Sequence, residues 1–531
     1  MGLIAYINAF HVPFVFDDVP NIAENARIRS LSNISSLFFS IKGPPIAARP
    51  LTAATFAVNY YLNGLDTTGY HVFNLTLHLI NGLLLYALIK LTAVCLGYGR
   101  DDFRVLLTAV CSSLIFVAHP IQTETVTYIV TRSTLLATTF FLSGMILFVK
   151  AVVSERQKIL YTVSLVFISC LGMASREEFF LFPFMLILYD YFFLSKFNGK
   201  EILRHYRVHL PVLLTLSYLL YIVLTYDYEE HAGFGVKTVS SFQYFMTQFN
   251  VHWTYIRLLF FPVSQNLDYD YPVAKTLFEL PTILSFLGYV GLWTMGIFFS
   301  KRKRVISFCI LWFMITLVPS SSIIPAVDVI FEHRLYMPLI GYSILTIMII
   351  FSISDKLLAK HSFTRAVLIQ VLAIVLVLTG LASARNTIWN DEIALWQDVV
   401  EKSPKKARAH NNLGVAYNEK ALQSYSNKSM LDDAITHLSI ATQLNPSYAA
   451  AHNNLGAAYA DKGMTDRAIE HYEIAITLDP SNYKAHFNLG TEYIRMGLHD
   501  KGIDEIKICL QINPHFREAL IWLDKVKSVD R

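Results

Sequence analysis

"YHVFNLTLHLINGLLLYALIKLTAV", residues 70–94, decides how the chain is read. It carries one formal charge, Lys90, in a run long enough to cross the ~30 Å hydrocarbon core of a bilayer as a helix. Its polar residues His71, Asn74 and His78 recur at helical spacing, so they share a face and can hydrogen-bond neighbouring helices. The helix needs protein partners inside a membrane, not water.

The same composition extends outward. Apolar residues make up 54% of the 531 positions and charged ones 16%, below the roughly 25% of a soluble chain, which indicates a polytopic membrane protein. Further apolar runs lie near 1–15, 104–118, 133–153, 158–174, 178–194, 209–225, 281–300, 305–324, 336–354 and 365–383. The first lacks a basic flank and a cleavage site and reads as an uncleaved anchor, shorter than a span needs, with the true start left open upstream of Met1. The run 242–261 carries Gln243, Gln248, Asn250, His252 and Arg257, and reads as an interfacial or re-entrant helix. With that choice the basic loops 196–207, 301–304 and 355–365 all fall on the cytoplasmic side of eleven spans. Everything after 383 is then outside.

This topology gathers the ionisable residues of the membrane half on one outer face. They lie in the loops 16–70 with Asp17 and Asp18, 119–132 with His119, Glu124 and Arg132, 175–178 ("SREE"), 226–280 and 325–335 with His333 and Arg334. Charges near membrane depth are functional candidates by default. Each has a structural alternative: a helix cap or an ion pair with Arg27 or Arg29 for the aspartates, a Glu124–Arg132 pair, and an interfacial aromatic loop or an acceptor contact for "QNLDYDYP" (265–272). The five cysteines show no paired spacing, which excludes a disulfide framework or zinc cluster, and no block of like charge suggests nucleic acid.

Residues 386–531 have the composition of a soluble domain. "AHNNLGVAY" (409–417), "AHNNLGAAY" (451–459) and "AHFNLGTEY" (485–493) are copies of one unit; the last two start 34 residues apart, and an insertion lengthens the first. The dipeptides at 445–446, 479–480 and 513–514 keep the same 34-residue period, which is that of tetratricopeptide repeats. A helix over 392–402 should precede them and one over 516–528 should cap them. Asn412, Asn454 and Asn488 keep the register and would project from one groove, resembling the asparagine ladder that holds peptide backbone in the O-GlcNAc transferase superhelix. The alternative is surface polarity shared between copies.

A carboxylate outside the membrane, beside cations, suits one reaction class: a base takes a proton from a hydroxyl, the oxygen attacks an anomeric carbon, and a phosphate departs. Nucleotide sugars are cytoplasmic, so the donor there is a polyprenyl-phosphate sugar. Arg49, His119, Arg132, His333 and Arg334, with Glu124, are the candidates for holding its phosphate and sugar.

The stretches "FVFDDVPNIAEN", "ARPLTAATFAVNYYLNGLDTTGYHVFNLTLHLINGLLLY", "AHPIQTETVTYIVTRSTLLA", "SREEFFLFPFMLILYD" and "FEHRLYMPLIGY", followed by repeats, resemble the transmembrane-and-tetratricopeptide O-mannosyltransferases. The resemblance implies a GT-C fold over 1–385, an inverting reaction, and a polyprenyl-phosphate donor whose sugar is mannose. It also implies that Asp17 is the base, and that Asp18 orients it, binds acceptor or holds a divalent metal. By the same resemblance "SREE" matches a Ser-Lys-Glu motif, so Glu177 joins the site with Arg176 keeping the charge. "EHRLY" stands one residue out of step with the family's Glu-Arg-x-Leu-Tyr.

The expected protein is therefore all-α, a polytopic GT-C-like membrane domain followed by a non-cytoplasmic repeat solenoid that recruits acceptor protein. The motif pattern suits a bacterial inner membrane with site and repeats periplasmic, or the endoplasmic reticulum with lumenal repeats; the sequons at Asn33, Asn74 and Asn427 do not decide between them. The alternatives are a membrane-anchored scaffold without catalysis, or a GT-C enzyme acting on lipid or polysaccharide.

Overall fold

The structure is a computed structural model that describes residues 1–39, 45–99, 101–225, 239–357, 363–423 and 428–529. Parts of the expected loops 226–280 and 355–365, and the repeat insertion with Asn427, lie outside the described residues. Among the described residues the elements are helices and short helical turns, with no β-strand. The chain forms two compact units, one of residues 1–267 and 271–390, the other of 268–270 and 391–531.

Among the described residues of the first unit five helices are long and apolar enough to cross a membrane: Thr67–Cys95, Ile129–Val153, Leu280–Phe298, Pro338–Lys356 and Phe363–Trp389. Phe103–Ala118 and Pro120–Thr127 together make a sixth, bent by 52° at His119–Pro120, where proline cannot supply the next backbone N–H. Lys158–Met173, Tyr206–Ile222 and Arg304–Thr316 are apolar but shorter. The run 178–194 is divided between a tight turn Glu177–Leu181, the helix Phe182–Tyr189 and a wide turn Asp190–Leu194.

Within residues 1–15 the helical stretches are short. Those residues form a helix of only five residues, Gly2–Tyr6, about 7.5 Å long, and a turn Ile7–Ala9. Polar contacts hold the segment against the bundle: Asn8 Nδ2 donates to Ser383 O at 2.9 Å, and His71 Nε2 lies 2.9 Å from Val12 O. The last helix runs past residue 385 because Asn386 and Trp389 are buried in this unit; Asn386 Nδ2 donates to Ala5 O at 2.9 Å. The polar run 242–261 is a helix, Ser241–Phe260, opened by a capping box between Ser240 and Gln243. Its buried face turns polar groups onto the loop ahead of residue 334: Gln248 Nε2 donates to Val329 O at 3.1 Å and the Tyr255 hydroxyl to Phe331 O at 2.9 Å.

The polar face of Thr67–Cys95 ties neighbouring segments together. His78 lies 2.8 Å from the Tyr336 hydroxyl and 3.1 Å from Val117 O, and Asn81 Nδ2 donates to Leu135 O at 3.1 Å.

The second unit stacks the helix pairs Ala407–Gln423 and Lys428–Leu444, Ala449–Asp461 and Thr465–Leu478, and Tyr483–Arg495 and His499–Ile512. Glu392–Lys402 precedes them and Arg517–Val529 follows. The glycine of each "LG" is where the paired helices touch: a Cβ on Gly490 would stand 2.8 Å from Gly502 O, and one on Gly456 3.0 Å from Ala468 O. The "AH" of each copy has a role that periodicity alone did not show. His410, His452 and His486 place Nε2 3.0–3.2 Å from the carbonyl of the proline six residues earlier, closing the turn between repeats.

Candidate active site

The segment 124–134 connects every part of the site in the first unit. It begins in the short helix Thr123–Thr127, passes the turn Ile129–Thr131 and enters the helix that continues to Val153.

The first part is the acidic corner. Phe16 sits at φ +51°, a left-handed conformation uncommon for an aromatic residue, and the strain turns the chain sharply into Asp17. Asp17 is exposed, and its backbone N–H donates to the Tyr128 hydroxyl at 2.9 Å. Asp18 points the other way and is fully buried. Its carboxyl accepts from Val130 N at 2.7 Å and Val15 N at 3.3 Å. Burial pushes that carboxyl up to about 8, against the pull of those two N–H groups. The adjacent aspartates thus divide into a surface carboxylate and a buried clasp. The Arg27 or Arg29 pairing considered for Asp18 gives way to these backbone contacts. A divalent ion between the two does not fit: both Asp18 oxygens are engaged by backbone N–H groups, and no group of three His, Cys, Asp or Glu is placed for a metal among the described residues.

The second part is a bank of arginines and glutamates. Arg49 precedes the helix Pro50–Asn63, whose first turn is fastened to the end of Lys158–Met173 by Leu51 N to Ala174 O and Thr52 Oγ1 to Ser175 O, each 3.0 Å. That docking brings Arg49 to "SREE". Its guanidinium grips Glu177 through two bonds of 3.0 and 2.7 Å, and Arg176 grips Glu178 through two of 2.7 and 3.2 Å. Both guanidinia also reach Ser133 Oγ, at 3.4 and 3.2 Å, and Arg176 donates to Thr134 at 2.7 Å. Burial favours a neutral Glu177, but the charge and hydrogen bonds of Arg49 outweigh it and hold the carboxyl down to about 2.

The third part joins Glu124 to the turn Glu332–Leu335. Glu124 Oε1 lies 2.6 Å from His333 Nδ1, and Glu332 N donates to Glu124 Oε2 at 3.1 Å. Glu332 in turn accepts from Gln265 Nε2 at 2.7 Å and Asn266 N at 2.6 Å, which fixes the turn from behind. Burial, then the charges of Arg176 and Arg334, push His333 well below its usual range, so the imidazole is neutral. Arg334 donates to Val329 O at 3.1 Å and Asp328 O at 3.3 Å and lies over the Phe331 ring. Burial opposes its charge, but the hydroxyls of Tyr244 and Tyr255 more than offset this and raise it.

Asp17, Asp18, Arg49 and His333 thus each contact the segment 124–134, which carries Glu124; Glu177 is tied to it through Arg49, and Arg334 follows His333 in the chain. His119 and Arg132 stand apart from these contacts. His119 is buried with both ring nitrogens engaged, Nε2 3.0 Å from Leu259 O and Nδ1 accepting from Ile121 N at 3.2 Å. Arg132 is buried among neutral acceptors, donating to Asn74 Oδ1 at 2.8 Å, Asn59 Oδ1 at 2.5 Å and Tyr70 O at 3.2 Å, with Phe56 and Phe73 against its guanidinium at 4.4 Å. Its contacts are those of an architectural residue, and the Glu124–Arg132 pairing gives way to Glu124–His333. Sequence reasoning did not place Tyr128, Ser133 or Glu178 in the site. Glu178 adjoins Glu177, but nothing in the pattern marks Ser133.

In the repeat unit, Asn454 Nδ2 donates to Asn411 Oδ1 at 2.9 Å and Asn488 Nδ2 to Asn453 Oδ1 at 3.0 Å. Asn411 and Asn453 donate to Asn412 and Asn454 at 3.0 and 3.3 Å, so the carboxamides bond one another along the stack.

The family models described as Tetratricopeptide repeat match residues 449–482 and 483–516, and one described as TPR repeat matches 423–463. Among curated proteins, "Protein O-mannosyl-transferase F38B6.6" of Caenorhabditis elegans is 27% identical, over 81% of this chain and 60% of its own length. "Protein O-mannosyl-transferase TMTC3" of Homo sapiens is 24% identical over 83% and 50%, and "Protein O-mannosyl-transferase TMTC4" of Homo sapiens 24% over 80% and 64%. The chain therefore spans about half to just under two thirds of the length of these relatives. The solved structure "Crystal structure of MamA" is 28% identical over 26% of this chain and 77% of that chain, with a TM-score of 0.21. Over about four-fifths of its length, then, the chain is related to the protein O-mannosyl-transferases of the transmembrane-and-tetratricopeptide kind, and tetratricopeptide repeats make up its C-terminal part.

Proposed function

We propose that the protein is an inverting membrane glycosyltransferase that moves a sugar, mannose by its relatives' names, from a polyprenyl phosphate to hydroxyl groups of protein acceptors. The observation that carries this reading is that an exposed aspartate, two arginines and a neutral histidine all contact the segment 124–134, with Arg334 next to that histidine in the chain. Asp17 takes the proton of the acceptor hydroxyl. The freed oxygen bonds to the anomeric carbon from the face opposite the phosphate, the carbon–phosphate oxygen bond breaks, and the leaving phosphate keeps the electron pair.

The phosphate gains charge as it leaves, so fixed cations stabilise the transition state more than the ground state. Arg49 and Arg176 are held by their glutamates in fixed orientations, and Arg334 by carbonyl oxygens. Three guanidinia stand against Glu177 and Glu178, leaving the bank one positive charge in excess. A neutral His333 donates or accepts a hydrogen bond without adding to that charge. Asp18 and Tyr128 position the corner.

The proposed topology has eleven crossings with the site and repeats on the non-cytoplasmic face, periplasmic or lumenal, and the repeats recruit acceptor protein. The test is to incubate the purified full chain in detergent with polyprenyl-phosphate mannose and an acceptor extract. Acceptor-dependent consumption of donor is expected. A chain that consumes none, yet retains partners through its repeats, would be a scaffold.

A further inference from the structure

Opposite the charged site, the bundle of the first unit holds a second feature that the proposed reaction does not use. It is a cavity of about 340 Å³ among Thr67–Cys95, Phe103–Ala118, Ile129–Val153, Arg304–Thr316 and Pro338–Leu357. Leu88 on its wall is 14 residues beyond Asn74, about 21 Å further along the same helix. Arg104 at its mouth is separated from His119 by most of the length of Phe103–Ala118. The volume is at the small end of the ~300–1,000 Å³ range of ligand pockets.

The lining is graded. Its interior is apolar, with Leu88, Met145, Trp312 and Ile344, and its few polar groups there satisfy one another: the Thr92 and Tyr189 hydroxyls are 2.5 Å apart. At the mouth the charges alternate. Arg104 bonds both oxygens of Asp355 at 3.1 and 2.9 Å, and the Asp102 carboxylate caps the adjoining helix through Arg104 N and Val105 N. One cation and two carboxylates stand at the rim of an apolar chamber. Three of its helices are of membrane-spanning length, so lipid and not water is the solvent that meets it.

We infer that this cavity binds one acyl chain of a phospholipid with a primary-amine head group. The chain fills the apolar interior, the phosphate lies against Arg104, and the ammonium donates to Asp355 and Asp102. The alternation of charge favours a zwitterion over an acidic lipid, whose net negative charge would face the two carboxylates. A choline head group lacks the N–H donors the carboxylates can use. The inference does not rest on the transferase reading.

The test is native mass spectrometry of the full chain in detergent, titrated separately with phosphatidylethanolamine, phosphatidylcholine and phosphatidylglycerol of identical chains. One retained phosphatidylethanolamine per chain is expected, at least tenfold more tightly held than either of the others. Ile344→Trp, which fills the chamber, should reduce retention at least tenfold. Asp355→Asn should bring the amine lipid down to the choline level, and Leu287→Trp on an exposed face should change nothing. Equal retention by Ile344→Trp, or equal binding of the three head groups, overturns the inference. Should Ile344→Trp not fold, phosphatidylethanolamine with brominated chains is applied to the unaltered protein. It should quench a fluorescence component that is missing from Trp312→Phe; identical quenching of the two proteins overturns the inference as well.

Discussion

Arg132 and the pair Arg49 and Arg176 meet the chain one residue apart, at 132 and 133, and could hardly be used more differently. Around Arg132 every acceptor is neutral, and its four hydrogen bonds go to two amides, a carbonyl and a hydroxyl inside a cage of aromatic rings. Around Ser133 the guanidinia answer carboxylates and stand at a partly open surface, where the Arg49 and Glu177 side chains are 23% and 33% exposed. The first arrangement stabilises the fold by satisfying a buried charge; the second keeps charge oriented and available. Residue type does not separate an arginine enclosed by neutral acceptors from one that faces carboxylates. What its donors are already bonded to does.

The largest effect that could break this contrast is at the acidic corner. Asp17→Asn should lower transfer by about 10²–10⁴-fold with donor binding unchanged, since the substitution keeps the side chain's shape and removes only its basicity at an exposed position. Full transfer by this variant would remove the base. Arg132→Leu should do the reverse. It strands Asn59, Asn74 and the Tyr70 carbonyl without donors, and a loss of about 3 kcal/mol or more is expected as a lower melting temperature in detergent. A variant that melts normally but has lost donor binding would move Arg132 into the site.

Two carboxyls sharpen the contrast through opposite responses to pH. The Asp18 carboxyl is raised in the folded protein from 3.8 to about 8, so its contribution is complete below about pH 4 and is lost as pH rises through 8. Glu177 is lowered from 4.5 to about 2, so its contribution is present above about pH 4.5 and lost as pH falls through 2. Asp18→Asn should abolish the alkaline loosening of the corner, measured as protease access to residues 14–25 between pH 5 and 9, and leave the acid limb as it was. The smallest effect lies in the repeats. Asn454→Ala removes two carboxamide bonds, worth about 1–2 kcal/mol together, and should lower the repeat unfolding midpoint modestly. Unchanged stability with lost acceptor binding would show that the ladder serves ligand alone.

The sequence by itself determined the repeats, the apolar helices and the loops that carry the charge. Those features are written in local periods, 34 residues for the repeats and 3.6 for a helix face, and a period survives whatever the partner is. It did not show how residues 1–15 are held, since Asn8 and Val12 find their partners far along the chain at Ser383 and His71. Only the tertiary structure decided how members of similar pairs are surrounded: Asp17 against Asp18, Arg334 against Arg132, His333 against His119. Each choice was made by a neighbour far away in the chain, such as Glu124 for His333 at a separation of 209 residues or Val130 for Asp18 at 112. A hydrogen bond between distant residues leaves no local pattern, so which donors are spent and which stay available is set only when the helices pack.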